Sequence, residues 1–192
     1  MEYKFTKLET ERLILRKVIF EDAESILRIY GDNEVAKHED MSPLKTLEEA
    51  KSMIQSFSER LDRSKGILWG IVRKKDDILI GTCGYHCWFN PPHLRGRIGY
   101  DLWRECWGQG LMTEALWAVI TYGFKKMCLN RIEALVGSKN YRSINLLSKL
   151  GFQQEGILRE HCYWNGDFQD EICFSLLKRE WKDINRLMLY KI

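Results

Sequence analysis

The chain has 192 residues, 45% of them hydrophobic and 30% charged, which suffices for one domain with a real core and is too little for two. Thirty Lys and Arg against 27 Asp and Glu leave a net charge of +3, spread evenly over both halves, so no basic arm or stripe argues for a nucleic-acid partner. No apolar run reaches the roughly 18 to 20 residues of a membrane span, and the polar opening Met1-Glu2-Tyr3-Lys4 is unlike a signal peptide, so a cytoplasmic protein without a membrane partner is expected.

Leu13-Ile14-Leu15 between Arg12 and Arg16 reads as a first strand. Asp22 is placed to cap an amphipathic helix carrying Ala23, Ile26, Leu27 and Tyr30, with Gly31 as its stop. The polar stretch from Glu34 to Leu44 reads as loop. Thr46 and Glu49 form a capping box ahead of a second helix to about Leu61. Leu68 to Val72 and Ile78 to Trp88, joined by the Lys74-Lys75-Asp76-Asp77 turn, read as a hairpin. Cys83 and Cys87 stand about 13 Å apart on that second strand, too far to share a metal. The six cysteines contain no C-x-x-C pair and read as reduced core thiols. Arg97 to Trp103 is a further strand, and the apolar stripe from Leu111 to Phe124 marks a long helix from about Gly110 to Met127. Arg131 to Val136 is a strand, Asn140 caps a helix to Leu150, and Gly151 stops it. Leu158 to Trp164 and Phe168 to Leu177 flank Asn165-Gly166, a strong hairpin signal. Strands and helices mix without a strict βαβ rhythm, so the fold class is α/β with a mixed sheet and helices on both faces.

The informative stretch is Trp103-Arg104-Glu105-Cys106-Trp107-Gly108-Gln109-Gly110-Leu111-Met112-Thr113-Glu114-Ala115. A strand enters a turn with two glycines that opens the long helix, so several N–H groups without helical partners point into one space, where an anion can sit. This is not a Walker loop, for which no Lys follows Gly110, and not G-x-G-x-x-G, because Thr113 stands at the third glycine.

That run, followed by Asn140-Tyr141-Arg142-Ser143 and Leu150-Gly151-Phe152, resembles the GNAT family of acetyl-CoA-dependent N-acetyltransferases. More narrowly it is similar to the branch of the ribosomal-protein N-terminal acetyltransferases RimJ and RimL, as are Thr10-Glu11-Arg12-Leu13-Ile14-Leu15-Arg16, Ile98-Gly99-Tyr100 and Tyr163-Trp164-Asn165-Gly166. The resemblance covers roughly residues 8 to 178. It implies a mostly antiparallel sheet of six to seven strands, splayed where the cofactor lies, in a domain spanning 1–178, with 179–192 as a helical extension packed on the domain or on a partner subunit. The implied cofactor is acetyl-CoA and the implied partner an amine; a monomer or homodimer fits equally. The implied cofactor site comprises Leu102 and Trp103, whose backbone groups would pair with the pantetheine arm, Trp107, Gly108, Gln109, Gly110, Leu111, Met112 and Thr113 around the pyrophosphate, and Asn140 and Ser143 beside the thioester.

The acid and base do not follow the family pattern. Arg97 stands where many relatives carry a Glu base, and Leu147 where many carry a Tyr acid; Glu105 replaces the Gln or Arg of the common cofactor motif. By alternation, Asp101 shares a strand face with Arg97 and Gly99 and is the substitute base. Ser143 is the candidate to protonate the departing thiolate, with helix capping as its structural alternative. Tyr85, His86, Trp88 and Trp164 are candidates for the acceptor side, His86 also as a proton relay. The loop His38-Glu39-Asp40 would cover that side. The resulting expectation is an N-acetyltransferase using direct attack of a primary amine on the thioester, with a protein N-terminus as acceptor. The alternatives are a small amine (aminoglycoside, polyamine or amino-acid derivative) as acceptor, or a non-catalytic acyl-CoA-binding module.

Overall fold

The computed structural model describes residues 5–38, 41–63, 66–89, 91–164 and 166–181, with Asp62 and Trp164 described by backbone alone. The chain opens with β1 (Leu8–Glu9) and β2 (Leu13–Arg16), in which buried Leu13 and Leu15 alternate with half-buried Ile14 and Arg16. A 3-10 turn (Phe20–Asp22) leads into α1 (Ala23–Tyr30). Asp22 stands at the N-cap of α1 but does not cap it: its carboxylate accepts from Arg16 at 2.7 and 2.8 Å and from the Ile19 amide at 2.9 Å. The segment read as loop contains α2 (Asn33–Ala36), capped by Asp32 and seated by buried Val35 and Ala36. One turn of helix is too short to show a period of 3.6. The Thr46–Glu49 capping box is present and starts α3 (Leu47–Asp62).

β3 (Ile67–Arg73) and β4 (Ile78–Phe89) form the expected hairpin, followed by β5 (Arg95–Leu102). After a 3-10 turn (Arg104–Cys106) come α4 (Leu111–Lys125), β6 (Arg131–Gly137) and α5 (Tyr141–Lys149), then β7 (Gln153–Trp164) and β8 (Asp167–Leu177). Among the described residues the sheet has eight strands in the order β1-β2-β3-β4-β5-β6-β8-β7, antiparallel except for β5 and β6. This exceeds the six to seven expected, since the two-residue β1 carries no alternation to detect. Asn165, at the hairpin between β7 and β8, lies outside the described residues.

Two cores form, one on each face. Ile98, Leu102, Ile132, Ala134 and Phe174 from the strands pack against Leu111, Ala115, Leu116 and Val119 of α4 and Leu147 of α5. On the other face, Ile26 and Ile29 of α1 and Ala50 and Ile54 of α3 pack on Val72 and Leu79. Trp181, just beyond β8, is buried with its ring 5.3 Å from Phe124; residues 182–192 lie outside the described ones. Among the described residues, no helix is long and apolar enough to cross a membrane.

Candidate active site

β5 and β6 pair only from Arg95↔Arg131 to Arg97↔Glu133. Beyond that point each keeps its other neighbour: β5 stays on β4 to Leu102↔Gly81, and β6 on β8 to Gly137↔Glu171. The sheet therefore parts between Ile98–Leu102 and the second half of β6. The backbone facing the split follows from alternation. The Trp103 amide donates to Ile80 O at 2.8 Å, toward β4, so Leu102 and Tyr100 turn their N–H and C=O groups to the split. The Ser138 amide donates to Asp170 O, toward β8, which turns Leu135 and Gly137 to it from the other side. A cavity of about 530 Å³ occupies this opening, walled by Ile98 to Leu102, Ala134 to Gly137, the α4 turn and α5.

The floor of the cavity is the start of α4. Gly108 and Gly110 have φ of 75° and 73°, the left-handed region, and Gly110 is the N-cap. The first helical bond runs from the Glu114 amide to Gly110 O, so the amides of Leu111, Met112 and Thr113 have no partner within the helix. A Cβ at Gly108 would meet no atom within 4 Å; its backbone angle requires glycine there. The aligned amides and the positive end of the helix dipole make this an anion cradle. Arg142 of α5 adds a cation at the rim, with its guanidinium 4.4 Å from the centre of the Trp107 ring.

Side chains with proton chemistry enter from both faces of the split. On the α4 and α5 side, the Tyr100 phenol and the Ser143 hydroxyl are 2.5 Å apart. Burial pushes the phenol's pKa up, against the Ser143 bond, which lowers it; the charge of Asp101 raises it further. Tyr100 therefore stays protonated at neutral pH. On the α1 side, Tyr30 donates to Asp101 Oδ2 at 2.9 Å and is 2.7 Å from Thr82 Oγ1. With its proton committed to Asp101, the Tyr30 oxygen accepts from Thr82. Asp101, Tyr100 and Ser143 all line the cavity.

Leu102, Trp107, Gly108, Gly110, Leu111, Met112, Thr113, Asn140 and Ser143 also stand on the cavity wall. Asn140 Oδ1 accepts from the Ser143 amide at 3.1 Å, so it caps α5 and fixes the turn that presents Ser143. Other expectations need correction. The Leu102 carbonyl accepts from Trp107 Nε1 at 2.7 Å, and the Trp103 ring lies under Arg28 at 5.0 Å, away from the split. The backbone role expected of Trp103 falls by register to Tyr100. Gln109 is not on the wall: Nε2 donates to Glu105 O and its own carbonyl accepts from Arg12. Tyr85 is a core residue, 1% exposed, with its hydroxyl donating to Val119 O at 3.1 Å, and it cannot reach an acceptor. Trp88 packs on the same core. His86 is the extra residue of a β-bulge between Tyr85↔Ile98 and Cys87↔Arg97, with its ring against Gly99. Its ring lies on the β5 face that Arg97, Gly99 and Asp101 share, and it is not one of the residues that line the cavity. His38 lines the cavity; Glu39, Asp40 and the Trp164 side chain lie outside the described residues.

Sequence reasoning missed Tyr100, Arg142 and Tyr30. Period-2 alternation places Tyr100 with Ile98 and Leu102, facing α4, and would have found it. Nothing local links Tyr30 to Asp101, 71 residues away.

The chain matches the family model of the acetyltransferase (GNAT) domain over residues 12–153. It is 40% identical to YoaA of Bacillus subtilis, described as an uncharacterized N-acetyltransferase, over 91% of this chain and 98% of that one. It is 26% identical to the [ribosomal protein uS5]-alanine N-acetyltransferase of Escherichia coli over 91% of this chain and 92% of that one. The crystal structure of the ribosomal-protein-S5-alanine acetyltransferase of Vibrio fischeri superposes with a TM-score of 0.80 at 28% identity, covering 92% and 99% of the two chains.

Proposed function

The chain belongs to the GNAT acetyltransferase family, and from that premise we propose that it moves the acetyl group of acetyl-CoA to a peptide N-terminal amine. The observation that carries this reading is the parting of β5 from β6 directly above the α4 cradle. Split-facing amides and carbonyls suit the amide-rich pantetheine arm, and the cradle suits a diphosphate. Acetyl-CoA supplies the activated acyl carbon; the protein supplies orientation and two proton movements.

The two wall groups divide those movements. Asp101, held by Tyr30, accepts the proton that the amine gives up as its nitrogen bonds to the acetyl carbon. Ser143 donates its hydroxyl proton to sulfur as the carbon–sulfur bond breaks. With Tyr100 donating to Ser143 Oγ, the serine's own hydrogen is directed into the cavity. Leu147 is fully buried, so the phenol that relatives carry at that position has its counterpart here in Tyr100, arriving from β5 on the opposite wall. A peptide acceptor accords with the reaction named for the uS5-alanine relative.

Acetyl-CoA is expected to raise the melting temperature of the protein, and Gly108→Glu, which sets a carboxylate in the cradle, is expected to abolish that rise. An unchanged melting temperature at saturating acetyl-CoA would refute the cofactor assignment. Release of free CoA with peptide amines then tests turnover.

A further inference from the structure

Arg97 is the last β5 residue still paired to β6, at the closed end of the split and directly before cavity-lining Ile98 and Gly99. Its Nε is buried and has no hydrogen-bond partner. Carboxylates on the same sheet face are already engaged: Glu133 by Arg131 at 2.7 Å, Glu155 by Arg131 and Ser175 at 2.6 Å each, Asp101 by Tyr30 at 2.9 Å, and Glu171 by His161 at 2.6 Å. A second cation stands nearby, since Arg60 donates to His86 O at 3.0 Å on the β4 side. Alternation sets Arg97 on the β5 face of Gly99 and Asp101, with the His86 ring over Gly99 between the two.

A buried guanidinium N–H without a partner is costly unless an acceptor meets it, and a carboxylate matches both the charge and the planar fork of the group. We propose that the acceptor carries a carboxylate next to its reacting amine, and that Arg97 binds it. This rests on the acetyltransferase reading above and narrows it to peptides with an acidic residue following the N-terminal one. The spacing agrees. Asp101 and Arg97 are four residues apart on β5, about 13 Å. Two extended peptide residues span about 7 Å, and the acidic side chain and the arginine's own length close the rest. A cationic residue at the same place would meet Arg97 and be repelled.

The test uses three N-terminally free peptide amides that differ only in the second residue: Ala-Glu-Ala, Ala-Gln-Ala and Ala-Lys-Ala. With CoA release as readout, kcat/KM is expected to favour the glutamyl over the glutaminyl peptide by about ten-fold or more, with the lysyl peptide slowest. Arg97→Gln is expected to bring the glutamyl-to-glutaminyl ratio near one, Arg97→Lys to keep part of it, and Arg97→Glu to invert the order in favour of the lysyl peptide. The acetyl-CoA melting shift, measured on every variant, reports folding and the cofactor site separately. Equal rates for the three peptides, or a ratio unmoved in Arg97→Gln, would overturn the proposal. So would absence of turnover with all three while the melting shift persists; loss of the melting shift in the unsubstituted protein would instead overturn the cofactor reading on which it stands.

Discussion

Glu114, in the first turn of α4, accepts from Arg12 through both carboxylate oxygens, from the backbone amide at 2.8 Å and from Nε at 2.6 Å. Thr10 adds a third bond at 2.6 Å. Burial alone would raise the carboxyl's pKa, but these donors outweigh it and the net direction is down. Arg12 also donates to Gln109 O at 3.0 Å. In a trans peptide the C=O and the following N–H point opposite ways, so drawing that carbonyl outward turns the Gly110 amide inward. The chain's opening segment thereby sets the direction of a donor in the cradle.

Arg12→Met is therefore expected to act on binding more than on stability. The pair is partly exposed, so the loss in unfolding free energy is expected to be about 1 kcal/mol or less. The CoA dissociation constant, read by calorimetry, is expected to rise several-fold. Unchanged affinity alongside reduced stability would show that the turn keeps its direction without Arg12.

Gly110→Ala forces a Cβ into the left-handed region at φ 73° and is expected to cost about 1–2 kcal/mol in urea unfolding. Gly137→Ala, at a position where a Cβ meets no atom within 4 Å and where φ is not positive, is expected to stay within about 0.5 kcal/mol of the unsubstituted protein. Equal effects at the two positions would contradict the assigned backbone angle.

Tyr100 and Ser143 should behave as one unit. Ser143→Ala and Tyr100→Phe are each expected to lower kcat by roughly 100-fold or more with little change in the CoA dissociation constant. The double variant is expected to be no slower than the worse single one, since each removes the same directed proton. Multiplicative losses in this cycle would separate the two residues.

The sequence carried the parts of the site whose signal is local. The glycine turn, the α4 stripe, the Asn140 cap and the Thr46–Glu49 box each lie within a few residues and were readable from spacing alone. The placement of Tyr85, His86 and Trp88 along β4 was not. Tyr85 and His86 take opposite faces as alternation requires, Tyr85 into the core and His86 over Gly99. The bulge at His86 resets the register beyond it, and Trp88, which strict alternation would set on the side of His86, packs on the core with Tyr85. The partners of Asp101 and Glu114 come from the chain's first thirty residues, and no spacing rule joins them. Arg97 is legible only as a departure from the family's glutamate; its unbonded Nε depends on how the neighbouring carboxylates are already used.

His86 gives a titration that tests this arrangement without any assay of activity. More than a third of the residue is open to solvent, but its ring lies on Gly99. Burial of the ring, then the charges of Arg60 and Arg97, lower its pKa to about 4. The ordinary value is near 6.5, so the unfolded chain binds this proton first. Stability linked to His86 is therefore fully present above about pH 6.5 and falls as pH drops toward 4. In a pH series followed by NMR, the His86 Cε1–H shift is expected to stay constant from pH 8 to 5 and to move only below that. In Arg97→Gln the midpoint is expected to rise, because one of the two opposing cations is gone. A midpoint near 6.5 in the unsubstituted protein would mean that neither the ring packing nor the guanidinium of Arg97 is placed as described.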